Sequence, residues 1–210
     1  MTPPDQDAVR LYQQALAADR ERRDRPAEAL HLGHLGAAFA AQDDLPNALV
    51  CYQMQLDLAR ELGDRTGEGN ALGNLSGIHL ALGELPQAIA GYQQRLAIAR
   101  ELADSHGEAR ALANLGAAHA LQGDLPRAVE NLRQALPLQR QLGQREDEAQ
   151  THWNLGQAYE SFGDLPRAIA AMQLCVDYEY EVDPAAAEAD AVLVDGLRLQ
   201  LAMQADGPPP

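Results

Sequence analysis

Apolar residues recur along this chain at spacings of three and four, in runs that return every forty residues. Leu72, Leu75, His79 and Leu82 form one run, and Leu112, Leu115 and His119 repeat it. Leu32, Leu35 and Phe39 precede them; His152, Leu155, Tyr159 and Phe162 follow. This spacing predicts the buried stripe of an amphipathic helix. A small residue, Gly36, Ser76, Gly116 or Gly156, shares each stripe and lets a neighbouring helix approach closely.

A second run follows in every copy: Ala48, Leu49, Tyr52, Leu56; Ala88, Ile89, Tyr92, Leu96; Ala128, Val129, Leu132, Leu136; and Ala168, Ile169, Met172, Val176. It extends to Leu62, Leu102 and Leu142, with Gly63 and Gly143 as stops. Between the runs stand Gly83-Glu84, Gly123-Asp124 and Gly163-Asp164, each followed by Leu-Pro. Glycine supplies the left-handed residue that ends a helix, the acid meets the positive end of the next helix, and proline is tolerated in a first turn. Asp43 replaces that glycine in the first copy, which predicts a slightly strained turn.

The chain therefore reads as four helix pairs, residues 27–66, 67–106, 107–146 and 147–184. Ala8, Tyr12 and Leu16 lie forty residues before Ala48, Tyr52 and Leu56, so residues 1–26 read as a half-repeat carrying one helix. Past Pro184, residues 185–203 read as a capping helix with Leu193, Leu197 and Leu201 at four-residue spacing, and 204–210 as a disordered tail. The expectation is an all-α stacked array of about ten antiparallel helices without strands.

Charge narrows the partners. The 210 residues carry a formal net charge of −15, and all sixteen basic residues are Arg. A field of this sign excludes a general nucleic-acid binder and disfavours anionic membranes. No apolar stretch is long enough to span a bilayer, and the N-terminus lacks the features of a secretory signal. Cys51 and Cys175 lie three repeats apart and read as reduced thiols of a cytoplasmic protein. The Arg, Ala, Leu, Gly and Pro bias suggests a bacterial source rich in GC.

Asn154-Leu155-Gly156, Tyr159, Gly163-Asp164 and Ala168 carry a family resemblance. The segment from Asn154 to Gln173 resembles a tetratricopeptide repeat (TPR), and the likeness covers residues 27–183 in register. The unit is forty residues rather than the common 34, similar to repeats of the Pins/LGN adaptors, kinesin light chain and bacterial signalling proteins. The resemblance implies a right-handed superhelical solenoid whose first helices line a concave, peptide-binding face. Carried over by register, that face presents His34, Asn74, Asn114 and Asn154, with Asn70, Arg110 and Gln150 beside them and Trp153 and Gln157 further along. A row of carboxamides can both donate to and accept from a peptide backbone, or it can bridge adjacent helices. Trp153 reads equally as a ligand contact or as packing against the last repeat. Arg110 is the one cation expected there, too little for a full carboxylate clamp.

No arrangement of nucleophile, base and orienting acid is present, so no enzyme is expected. His79 and His119 occupy slots filled elsewhere by Phe39 and Tyr159 and read as packing. His31 and His34 share a helix face but lack a carboxylate at ligand spacing, so neither metal nor cofactor is expected. The acid-rich segment from Asp177 to Asp195 reads as a solvated face able to steer a basic partner, with Tyr178 or Tyr180 packing under the capping helix. The functional expectation is a scaffold or adaptor that binds a peptide or helix of a partner protein. A self-assembling structural unit and a sensor of a small ligand or signalling peptide are the alternatives, with the oligomeric state open.

Overall fold

A computed structural model describes residues 4–205, with side chains from Asp7 onward. Ten α-helices, and no strand, occur among them: α1 (Pro4–Arg22), α2 (Arg25–Ala41), α3 (Leu45–Leu62), α4 (Arg65–Ala81), α5 (Leu85–Glu101), α6 (Ser105–Gln122), α7 (Leu125–Leu142), α8 (Arg145–Ser161), α9 (Leu165–Val182) and α10 (Pro184–Ala205). The chain is an all-α repeat solenoid. The expected tail at 204–210 is helical as far as Ala205, and the rest of it lies outside the described residues.

The turns keep a stricter rhythm than the sequence reading found. Backbone φ is positive at Arg23, Asp43, Gly63, Gly83, Ala103, Gly123, Gly143 and Gly163, one residue in every twenty. Glycine takes this conformation freely, whereas Arg23, Asp43 and Ala103 hold it against steric cost. The strain expected at Asp43 is therefore shared by two further turns. The residue after each of these is Asp, Glu or Gln. Asp24, Asp44, Asp64, Asp124 and Asp164 accept a hydrogen bond from the backbone N–H three residues on, and Asp104 does the same for Gly107 at 2.9 Å. Such caps satisfy donors that a helix start leaves unpaired. Glu84 makes no cap bond; its carboxylate meets His79 Nδ1 at 2.6 Å instead.

Contacts divide the chain into two units, residues 1–107 and 108–210. In the first, α1 packs on α2, α2 on α3, α3 on α4 and α4 on α5, and α2 also touches α4. One core gathers Leu16, Leu32, Leu35, Cys51 and Leu58; another gathers Ala48, Tyr52, Leu56, Leu72, Leu75 and Ile98. In the second unit α7 packs on α8, α8 on α9 and α9 on α10. Its core joins Leu132, Leu155, Tyr159, Leu165, Met172, Val176, Val194 and Leu197.

The small residues do what their positions imply. A Cβ on Gly36 would lie 2.7 Å from the Tyr52 ring, and one on Gly116 would lie 2.5 Å from Leu132 Cγ. On Gly156 it would come within 3.1 Å of the Ala168 carbonyl. Ser76, the exception, turns its hydroxyl onto the Leu72 carbonyl at 2.7 Å, and Gly91 leaves room opposite it.

Arginines then stitch neighbouring helices along their edges. Arg20 meets Glu28 at 2.8 Å, Arg60 meets Glu68 at 2.9 Å and Arg140 meets Glu148 at 2.6 Å, eight residues apart each time. Arg25–Glu61, Arg65–Glu101 and Arg145–Glu181 form a second row thirty-six residues apart.

Three sequence expectations need correction. Leu62, Leu82, Leu102, Leu142 and Phe162 are exposed rather than buried, because each stands where its helix gives way to a turn and its side chain leaves the packed stripe. On α10 the buried residues are Ala187, Val194 and Leu197, while Leu193 is exposed; a strict four-residue spacing drifts off a helical face of 3.6 residues per turn. Tyr180 is exposed, and Tyr178 lies beneath Arg145 of α8, whose guanidinium carbon is 5.2 Å from the ring centre.

Candidate functional site

The residues singled out from the sequence fall on the first helix of each pair. His34 is on α2, Asn70 and Asn74 on α4, Arg110 and Asn114 on α6, and Gln150, Trp153, Asn154 and Gln157 on α8. Helical spacing of three and four places each set beside, rather than within, the buried stripe. His34, Asn70, Arg110, Gln150 and Gln157 are exposed; Asn74, Asn114, Trp153 and Asn154 are half-buried.

In the second unit two of them, Asn154 and Gln157, meet at one cavity of about 670 Å³. Its walls are Ala117, Ala120 and Leu121 of α6, Leu125 of α7, and Asn154, Gln157, Ala158, Glu160 and Ser161 of α8. One wall is apolar and the other carries amide, carboxylate and hydroxyl groups. Gln150 Nε2 donates to Asn154 Oδ1 at 3.2 Å, so the Asn154 oxygen already has a partner within its own helix. Arg110, Asn114, Gln150 and Trp153 are not part of this lining. Trp153 packs against the core that α8 shares with α9 and α10.

In the first unit Asn70 belongs to a smaller cavity of about 270 Å³, lined also by Thr66, Gly69, Arg95, Ile98, Ala99, Leu102 and Asp104. Arg95 is the residue that sequence reasoning missed. It lies on the second helix of its pair, α5, yet its side chain crosses the bare backbone of Gly73. There Nη1 donates to the Gly69 carbonyl at 2.6 Å and to Asn70 Oδ1 at 3.3 Å. Only 7% of Arg95 is exposed. Arg110 is therefore not the one cation near these rows. The available signal was the pairing of Gly73 with Arg95, echoed forty residues earlier, where Gln55 crosses Gly33.

His34 stacks on Tyr12 of α1, with ring centres 5.3 Å apart. Beside it, His31 Nδ1 lies 2.5 Å from Asp19 Oδ2. This corrects the expectation that no carboxylate accompanies the two histidines; Asp19 arrives from the preceding helix and is buried. Among the described residues no group of three or more His, Cys, Asp or Glu side chains is arranged to hold a metal. Cys51 and Cys175 are free thiols. Burial, aided by Glu179 beside it, pushes the Cys175 thiol up to about 12. Burial also raises Cys51 and lowers His152. No helix among the described residues is long and apolar enough to cross a membrane.

No curated protein matches the chain. Among solved structures, BtubC (BKLC) from P. vanneervenii superposes with a TM-score of 0.75 at 19% identity, over 99% of this chain and 95% of that one. A putative kinesin light chain from Podosopora anserina gives 0.70 at 19% identity, over 84% and 87%. Aspartyl phosphate phosphatase F from Bacillus subtilis gives 0.68 at 13%, over 93% of this chain but only 55% of its own length. At such identities the likeness speaks for the fold. The tetratricopeptide-repeat profile itself matches residues 25–101, 68–141 and 107–178. Together with the helix pairs and their glycine contacts, this makes the chain a member of the tetratricopeptide-repeat family.

Proposed function

We propose that the protein is a scaffold that holds a peptide or helix of a partner protein against the faces of its first helices. The observation that carries this reading is the 670 Å³ cavity bounded by Ala117, Ala120 and Leu121 on one side and by Asn154, Gln157 and Glu160 on the other. Small apolar side chains accept the buried face of a ligand, and the amides engage its polar atoms. Glu160 and the net charge of −15 favour a basic or amphipathic ligand. Nucleic acid and anionic membrane are poor matches to that field. The free, buried Cys51 and Cys175 suit a reducing compartment, and we place the protein in the cytoplasm.

Capture of partners from a native lysate tests the assignment. The double variant Asn154→Ala with Gln157→Ala removes two amide groups from the cavity wall without changing its charge; one position is half-buried and the other exposed, so it keeps the helical circular dichroism of the parent. Its captured partner falls at least tenfold, the change expected when a polar group of a site loses its partner. Undiminished capture would overturn the assignment of these residues.

A further inference from the structure

Three of the four complete helix pairs bury one row of the first helix against one row of the second at a constant offset. Gly36 receives Tyr52, Gly116 receives Leu132 and Gly156 receives Met172, sixteen residues on in every case. The same register continues into α10, where Ala189, Val192, Gly196 and Leu199 stand forty residues after Ala149, His152, Gly156 and Tyr159. In α8 that row is buried; in α10 it is bare. Val192 is 70% and Leu199 68% exposed, and a Cβ on Gly196 would meet nothing within 4 Å. α10 is thus a first helix, packed on α9 through Ala187, Val194 and Leu197, with no second helix among the described residues.

The complementary half stands at α1. Ala8, Leu11, Tyr12, Ala15 and Ala18 lie forty residues before Ala48, Cys51, Tyr52, Gln55 and Leu58, all five of which are buried. On α1 none of the row is buried, and Leu11 is 61% exposed. Tyr12 uses one flank against α2, where it stacks on His34, as Tyr52 uses one flank against α4. The flank that Tyr52 turns to Gly36 has no counterpart for Tyr12 among the described residues.

We propose that α1 of one copy docks on α10 of a second copy, head to tail, completing a helix pair between two chains with Tyr12 over Gly196. The sizes agree with this register. Where the second helix carries a large residue, Gln55 or Arg95, the first carries Gly33 or Gly73; where the first carries Trp153, the second carries Cys175. At the junction Leu193 falls opposite Ala15, the same exchange of large for small. A row of apolar residues recurring with helical spacing, exposed where its homologues in the other repeats are buried or half-buried, is a partner surface. The contact is heterologous, using different patches on the two copies, so it leaves one free end of each kind on every assembly. Because each copy carries −15 charges, added salt strengthens association by screening their repulsion.

The test uses the full chain in sedimentation velocity over a concentration series, in low and high salt. The wild type gains mass with concentration, more so in high salt. Gly196→Arg blocks the α10 row and Ala8→Arg blocks the α1 row; each lowers the association constant at least tenfold. Gly196 touches nothing and Ala8 is half-exposed, so both variants keep the melting temperature of the dilute parent; Leu11→Glu is the second block on α1 if Ala8→Arg does not fold. An equimolar mixture of one α1 block and the α10 block re-forms a species of two chains and no larger, since each variant keeps the face the other lacks. A wild type that stays at one-chain mass throughout overturns the proposal. So does a mixture that fails to recombine, which would mark a symmetric contact of α10 with α10.

Discussion

The pairs α4–α5 and α8–α9 are built on one register with opposite distributions of bulk. α4 carries Gly69, Gly73 and Gly77 where α8 carries Ala149, Trp153 and Gln157. α5 answers with Arg95, whose side chain lies over Gly73, while α9 has Cys175 at the same position. Glycines inside a helix cost it conformational entropy, so their presence on α4 needs a return, and the return is the passage they open for Arg95 to reach Gly69 and Asn70. The consequence for the rows proposed to face a ligand is that a residue of the second helix reaches the row on α4, whereas α9 has only Cys175 at that position. The repeat therefore conserves the meeting points of the helices and the combined size of the residues that meet there, while either partner can supply the bulk.

The largest expected effect breaks the part of this scheme that the two pairs share. Gly156→Leu drives a side chain into Met172 and the Ala168 carbonyl and costs about 3 kcal/mol or more in urea denaturation. A loss under about 1 kcal/mol would mean that the closeness of α8 and α9 contributes little. Next comes a double-mutant cycle on the part that differs. Arg95→Ala removes a buried side chain and its bond to Gly69, at about 2 kcal/mol. Adding Gly73→Ala to it copies the Ala113 and Ala135 of the third repeat and recovers part of that loss, since alanine is the better helix former by about 1 kcal/mol. In the parent, Gly73→Ala is instead destabilising, because its Cβ would stand 2.9 Å from Arg95 Cδ. Additive effects would show that Gly73 and Arg95 do not depend on each other.

Much of this was legible before any coordinates. Gly36, Gly116 and Gly156 declared the close approaches, and Gly123-Asp124 and Gly163-Asp164 declared the turns. Arg95 was not legible, because a charged residue reads as surface until the glycine twenty-two positions earlier is known to face it. The Asp19–His31 contact was hidden for a similar reason: its members belong to successive helices, and no local spacing joins them. Leu62 and Leu82 misled in the other sense, since composition marks them apolar while the turn beside each carries the side chain outward. In the candidate site, the rows were legible from register, but the gathering of Asn154 and Gln157 with Ala117 and Ala120 at one cavity depends on how α8 leans on its neighbours.

The smallest effect separates the pairs by pH. The hydrogen bond from Arg60, joined by Arg65, holds Glu68 below the usual carboxylate value, and Arg65 does the same for Glu101. A carboxylate depressed in the folded state stabilises above its unfolded value, and that stability is lost as pH falls through the folded value. Glu179, between Cys175 and Asp190, is raised by burial, so its contribution runs the other way and declines as pH rises from the ordinary value to the raised one. Amide exchange followed from about pH 5 to about pH 3 therefore quickens in α4 and α5 relative to α9 and α10. Equal changes in both regions would mean that these carboxylates do not distinguish them.

The left-handed residue at every twentieth position, from Arg23 to Gly163, works as a ruler. Deleting or inserting one residue inside any helix turns everything beyond it by about 100° and faces a glycine where a tyrosine should be received. The ruler is kept even where arginine, aspartate or alanine must bear the strained conformation, so the distance between turns is guarded more closely than the chemistry of the turns themselves. Descendants of this sequence can change by substitution at nearly every exposed position. They can change length only at the turns, or by whole forty-residue helix pairs.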